Sequence, residues 1–188
     1  IVFEGKRQTY LEINKRVNRL ANALLSRGVG PGDRVALMMQ NCPEYLECYF
    51  ALCKIGAIAV PINFRYVGNE IVFQVNDSGS KAMITAQEYL ETVIHALQEM
   101  PGLEILICVG EKKGEIENYE SLLTESLEEE PLIEVKEDDA AFIMYTAGTT
   151  GKPKGAVLTQ RGQMLNASVY AMEAGLRKDE IYLCIPPL

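Results

Sequence analysis

Residues 145–155 read Tyr-Thr-Ala-Gly-Thr-Thr-Gly-Lys-Pro-Lys-Gly and place three glycines, three threonines and two lysines in eleven positions. Glycines let backbone N–H groups close on an anion and take up positive φ. Threonine hydroxyls add donors, and Lys154 adds a point charge of the kind that binds phosphate. Pro153 fixes one backbone angle ahead of that lysine. The set suits a polyphosphate, and it also suits a Gly/Thr-rich turn between two strands; the residues alone leave both readings open. Other phosphate loops are excluded. A Walker A loop needs Gly-Lys five residues after its first glycine, where Pro153 follows Gly148 and Ala156 follows Gly151. Gly28-x-Gly30-x-Gly32 lies between a helical and a strand-like segment, whereas the dinucleotide fingerprint follows a strand and opens a helix.

No second constellation competes with this one. His95 is the only imidazole, and the five cysteines (Cys42, Cys48, Cys53, Cys108, Cys184) include no CxxC pair, so no zinc site is expected. Cys48 and Cys53 fall in an apolar helical pattern and read as core. Cys184 would need an activating base to act as a nucleophile and is not assigned that role. His95 reads as an ordinary helix residue. An odd number of unpaired cysteines suits a reducing, cytoplasmic setting.

Charge points the same way. The 188 residues carry a net charge of −8, which argues against a nucleic-acid partner. Glu111–Asp139 holds twelve acids against three lysines, a net of −9, so the rest of the chain is close to neutral. From Ala140 to Met172 there is no acid at all, but there are Lys152, Lys154 and Arg161. A locally cationic stretch in an acidic protein suits a small anionic ligand. The run Glu128-Glu129-Glu130 reads as a solvated face. No apolar run approaches the roughly 18 residues of a membrane span, and no secretory leader is expected.

The elements that must position the 145–155 segment follow from periodicity. Thr9-x-x-Glu12 is a capping-box signature, and Tyr10, Ile13, Val17, Leu20, Ala21 and Leu24 then mark an amphipathic helix stopped at Gly28. Val35–Met39 is a short apolar run, as in a buried parallel strand. Pro43 sits well at a helix start, and Glu44–Ile55 is helical. Ala57–Ile62 is the next strand. Helices are predicted over Gly68–Asp77, Glu88–Met100 and Gln163–Ala174. Strands are predicted at Ala82–Thr85, Ile105–Val109, Ala140–Thr146, Ala156–Leu158 and Ile181–Ile185. Gly110–Asp139 is a long acidic connector with a short helix at Tyr119–Leu127, and it is the best internal boundary. Strands alternating with helices give an α/β fold with a mostly parallel sheet flanked by helices.

With the residues in view, the chain resembles the adenylate-forming (AMP-binding) superfamily of acyl- and aryl-CoA synthetases, luciferases and peptide-synthetase adenylation domains. Its signature is close to [YF]-T-S-G-[ST]-T-G-x-P-K-G-V. Tyr145, Thr146, Gly148, Thr149, Thr150, Gly151, Pro153, Lys154 and Gly155 match it. Ala147 stands where Ser is usual, Ala156 where Val is usual, and Gln160 where His is common; Ala147 loses a hydroxyl but keeps its N–H. The resemblance extends to Thr9-Tyr10-x-Glu12-Ile13-Asn14, Gly28-Val29-x-Pro31-Gly32-Asp33-Arg34-Val35, Asn41-x-Pro43-Glu44-Tyr45, Lys54-x-Gly56-Ala57, Val60-Pro61-Ile62-Asn63 and Asp77-Ser78-Gly79. It covers essentially the whole chain, least well in the acidic connector. Asn41-x-Pro43-Glu44 and Pro61-Ile62-Asn63 look like the acyl-CoA synthetase branch.

The resemblance implies an ATP-dependent, AMP-forming acid:CoA ligase that activates a small-molecule carboxylic acid as its acyl-adenylate and passes it to CoA, with Mg2+ accompanying ATP. It implies that Thr146, Ala147, Gly148, Thr149, Thr150, Gly151 and Lys154 hold the nucleotide phosphates. Residues 1–188 would be the N-terminal part of the large AMP-binding domain, with the catalytic Lys and the C-terminal domain beyond them, and this stretch alone is expected to be inactive. A peptide-synthetase-type adenylation domain and a non-catalytic nucleotide-binding module are the alternatives.

Overall fold

The computed structural model describes residues 1–111, 114, 116–146, 152–177 and 179–184. A short hairpin, β1 (Val2–Phe3) and β2 (Lys6–Arg7), precedes the first helix, α1 (Tyr10–Ser26). The expected capping box is present: Thr9 Oγ1 accepts from the Glu12 N–H and the Glu12 carboxylate accepts from the Thr9 N–H. Gly28 takes φ +78° just beyond the end of α1, a conformation that side chains resist.

The chain then alternates as expected. In order come β3 (Arg34–Met38), α2 (Pro43–Lys54), β4 (Ile58–Pro61), α3 (Gly68–Ser78), β5 (Ala82–Ala86), α4 (Gln87–Ala96), β6 (Ile105–Val109), β7 (Glu117–Asn118), α5 (Tyr119–Glu125), β8 (Ala140–Tyr145), β9 (Gly155–Thr159) and α6 (Gln160–Glu173). The main sheet runs β7-β6-β5-β3-β4-β8-β9, parallel throughout except for the antiparallel pair β8–β9.

Alternate side chains of β3 face opposite ways, as a pleated strand requires. Val35 and Leu37 join a core with α1, α2 and α5, while Ala36 and Met38 join a second core with α3 and α4. Both faces of the sheet are covered, which is why β3 and β5 read as continuous apolar runs.

Three expectations are corrected. Ile181–Ile185 was expected to be a strand, but Ile181–Cys184 form no strand and are exposed; Ile185 lies outside the described residues. An apolar run becomes a strand only when another strand supplies its hydrogen bonds. The last helix begins at Gln160, not Gln163, because Thr159 caps it, its Oγ1 accepting from the Gly162 N–H at 3.1 Å. The acidic connector does not divide the sheet, since β8 beyond it pairs with β4 before it.

The connector is instead strapped to α1 and to the end of α2. Lys15 and Arg19 reach Glu128 at 3.2 and 3.4 Å, Lys54 pairs with Glu130, and Asn18 and Asn22 donate to the Glu128 and Glu129 carbonyls at 3.0 Å. The carboxylates of Glu128–Glu130 stay exposed, as expected, but two of them carry partners. Beneath them lies a buried group. Arg16 Nε donates to Glu47 Oε1 at 2.6 Å, the Tyr119 hydroxyl donates to Glu47 Oε2 at 2.7 Å, and Arg16 also holds Glu120. Glu47 is fully buried, so this group joins α1, α2 and α5 through one desolvated carboxylate.

Candidate nucleotide-phosphate site

The parallel strands β3, β4 and β8 all point their carboxyl ends to one edge of the sheet. The connection that leaves β3 runs through α2 on one face of the sheet to β4, and the connection that leaves β4 runs through α3 on the other face, back across β3 to β5. In open α/β sheets such a switch point leaves a crevice where ligands bind. The crevice is present here. A cleft of about 350 Å3 lies outside β3 and β4, lined among others by Asn41, Tyr45, Asn63, Phe64, Gln74 and Tyr145.

The segment singled out by its sequence opens onto this same edge. β8 delivers Tyr145 and Thr146, β9 leaves from Gly155, and the neck between them is closed by the Thr146 N–H donating to the Lys154 carbonyl at 3.0 Å. Of the two readings left open in sequence, the antiparallel pairing of β8 with β9 bears out the connection between two strands, and it opens at the same edge as the cleft. Thr146 sits at its neck, with its hydroxyl 3.5 Å from the same carbonyl. Ala147, Gly148, Thr149, Thr150 and Gly151 lie outside the described residues. Lys154 is exposed, and among the described residues no carboxylate comes within ion-pairing distance of its ammonium. No acid occurs between Ala140 and Met172, so the surroundings in sequence add none.

Gly155 has a role that its sequence context did not disclose. A Cβ there would lie 2.7 Å from Ile143 Cγ2 and 3.3 Å from the Tyr145 ring, so glycine is needed for strand packing. Sequence reasoning also missed the partners of the neck on α3. The Tyr145 hydroxyl donates to Asp77 Oδ2 at 2.7 Å, and its ring meets Phe73 edge-on at 6.4 Å. Burial, with the adjacent Asp77 carboxylate, holds the Tyr145 phenol above its ordinary value, so it remains a donor at neutral pH. Lys152 Nζ stands 5.7 Å from the Phe73 ring centroid.

His95 and Cys48 sit where expected, and Cys53 is only partly buried. His95 lies exposed on α4, its Nδ1 2.7 Å from the Glu91 carbonyl. Cys48 is fully buried, and burial pushes the Cys42 thiol up to about 12 and raises those of Cys48 and Cys53, the opposite of nucleophile activation. No cluster of three histidine, cysteine or carboxylate side chains suited to a metal ion occurs among the described residues.

The sequence matches the AMP-binding enzyme family over residues 1–188. The chain belongs to this family. A crotonobetaine/carnitine--CoA ligase from Citrobacter koseri is 33% identical over 184 residues, 95% of this chain and 36% of that protein. The chain thus spans about a third of the length of the curated relatives it matches. The structure of an anthranilate CoA ligase in complex with anthranoyl-AMP superposes with TM-score 0.87 at 25% identity, covering 91% of this chain and 33% of that one. The inhibitor-bound N-terminal domain of FACL13 from Mycobacterium tuberculosis superposes with TM-score 0.81 at 36% identity, covering 89% and 41%. The family's fold is thus the α/β arrangement expected here, and the relatives of this AMP-binding protein are CoA ligases.

Proposed function

We propose that this chain is the N-terminal part of the large domain of an AMP-forming acid:CoA ligase, in which residues 146–154 hold the β- and γ-phosphates of ATP. The observation that carries the reading is the placement of an acid-free, doubly cationic hairpin at the carboxyl edge of the sheet, with the Lys154 ammonium free of any carboxylate among the described residues. A bound polyphosphate would supply the missing counter-charge. Exposed apolar side chains on α6, among them Met164 and Met172, suit a surface that packs against further protein.

In the proposed reaction a substrate carboxylate attacks the α-phosphorus of ATP. The bond to the bridging oxygen breaks, and pyrophosphate departs with that electron pair. The acyl-adenylate is then taken by the CoA thiol, releasing AMP. This chain does no covalent work in either half. Lys154 and the amides and hydroxyls of Thr146, Ala147, Gly148, Thr149, Thr150 and Gly151 orient the phosphates and stabilise charge that grows on the departing pyrophosphate. Mg2+ would enter with ATP and neutralise phosphate charge beside the charge that Lys154 supplies. The acid is a small molecule of unassigned class. Five cysteines without a disulfide suit a reducing, cytoplasmic setting.

Carboxylate-dependent ATP–pyrophosphate exchange by the full-length protein, run over short, medium, long and aromatic acids, tests the reading. Exchange followed by thioester formation on adding CoA is the expected result. ATP binding without exchange for any acid would favour a non-catalytic module, and exchange with transfer only to a carrier protein would favour a peptide-synthetase domain.

A further inference from the structure

We propose that Phe73 and Asp77 on α3 are positioning residues for the two limbs of the hairpin, at Tyr145 and Thr146 and at Lys152 to Lys154, and set where Lys154 stands when phosphate is bound. The proposal rests on the reading of that hairpin as the phosphate loop. The two side chains are four residues apart and share one face of the helix. Asp77 Oδ2 accepts from the Tyr145 hydroxyl at 2.7 Å, one residue before the neck opens at Thr146. Phe73 meets the Tyr145 ring at 77° between planes and also lies under Lys152 Nζ at 5.7 Å, two residues before Lys154. One face of α3 therefore grips both limbs of the hairpin, entering and leaving. Thr146 and Lys154 are tied across the neck between these grips by the 3.0 Å backbone hydrogen bond.

The arrangement divides the two lysines. Lys152 rests on a ring face, which attracts a cation and fixes the limb. Lys154 has no carboxylate partner among the described residues. Asp77 belongs to the element packed against this cationic segment, and a phenol hydroxyl, not an ammonium, occupies the carboxylate oxygen that faces it. Asp77 therefore braces the hairpin through the Tyr145 hydroxyl and not through an ion pair with Lys152 or Lys154. A small displacement of a group aimed at the reacting phosphates lowers rate steeply, so loosening the brace should harm adenylation more than acyl transfer.

The test uses the full-length protein with Asp77→Ala, Asp77→Asn and Tyr145→Phe. Asp77→Ala should slow pyrophosphate exchange about tenfold, while thioester formation from supplied acyl-adenylate changes by less than about twofold. Asp77→Asn keeps an acceptor for the Tyr145 hydroxyl and should recover most of the exchange rate. Tyr145→Phe should add little to Asp77→Ala, because both remove one hydrogen bond. Amide hydrogen exchange supplies a readout independent of chemistry: the Thr146 amide, bonded across the neck, should lose protection in Asp77→Ala while β3 and β5 keep theirs. Equal damage to both half-reactions, or unchanged protection at Thr146, overturns the proposal. If the unaltered protein exchanges pyrophosphate with no acid, the ligase reading fails, and the protection measurement still decides whether the brace exists.

Discussion

The acidic connector and the hairpin at 145–155 use charge in opposite ways. Along the connector, Lys15, Arg16, Arg19, Arg27 and Lys54 each meet a carboxylate, on Glu128, Glu120, Glu128, Glu117 and Glu130 respectively. In the acid-free stretch, Arg161 is drawn back to Glu137 and Asp138, Lys152 lies on a ring, and Lys154 has no carboxylate partner among the described residues. Paired charges there fasten one part of the chain to another. A lysine with no carboxylate partner among the described residues fastens nothing there, and under the proposed function its charge meets phosphate.

The contrast can be broken at its buried end first. Glu47→Ala removes the carboxylate beneath the connector and leaves the Arg16 guanidinium and the Tyr119 hydroxyl without it. Breaking a buried pair costs about 3 kcal/mol or more, and urea unfolding should show that loss with no matching loss of phosphate binding. Lys154→Ala should do the reverse. Stability should hardly change, while adenylation falls by about a hundredfold or more, measured as pyrophosphate exchange; acyl transfer from supplied acyl-adenylate should suffer less. Equal effects of Lys154→Ala on both halves would contradict the role assigned to it.

Two smaller effects sharpen the comparison. Gly155→Ala forces a Cβ against Ile143 and the Tyr145 ring and should cost about 1–3 kcal/mol by overpacking, read in thermal unfolding. The exposed clasp should matter least and should respond to solution conditions. Hydrogen bonds from Lys15 and then Arg19 hold the Glu128 carboxyl below its ordinary value, and Lys54 does the same for Glu130. A carboxyl lowered on folding stabilises the folded state above its unfolded pKa, and that contribution is lost as pH falls through the folded value. The pH dependence of the unfolding midpoint in the acid range should therefore flatten slightly in Glu128→Gln. High salt should shrink the difference, since exposed pairs are screened.

Much of this protein was legible in its sequence because the deciding signals are local. The capping box at Thr9 and Glu12, Pro43 opening α2, the apolar runs of β3, β4 and β5, and the signature at 145–155 each declare themselves within a few residues. Where a signal had to come from a distant partner, the reading stopped or failed. β7 has only two residues and exists because β6 offers it an edge. Ile181–Cys184 have a strand's composition but pair with no strand among the described residues. Phe73 and Asp77 show nothing in a helical pattern to mark them as neighbours of Tyr145, 68 residues away from Asp77.

The sequence by itself determined the α/β class, the order of most elements, the family, and the segment whose residue types suit phosphate. Periodicity, caps and a short motif are properties of adjacent residues, which is why they survive without coordinates. Only the tertiary structure decided that the acidic connector is a strap and not a boundary, that Gly155 is required by the Ile143 and Tyr145 side chains, and that one face of α3 grips the hairpin. Each of these depends on which groups meet after the chain has folded back on itself, and on whether a charge finds its partner there.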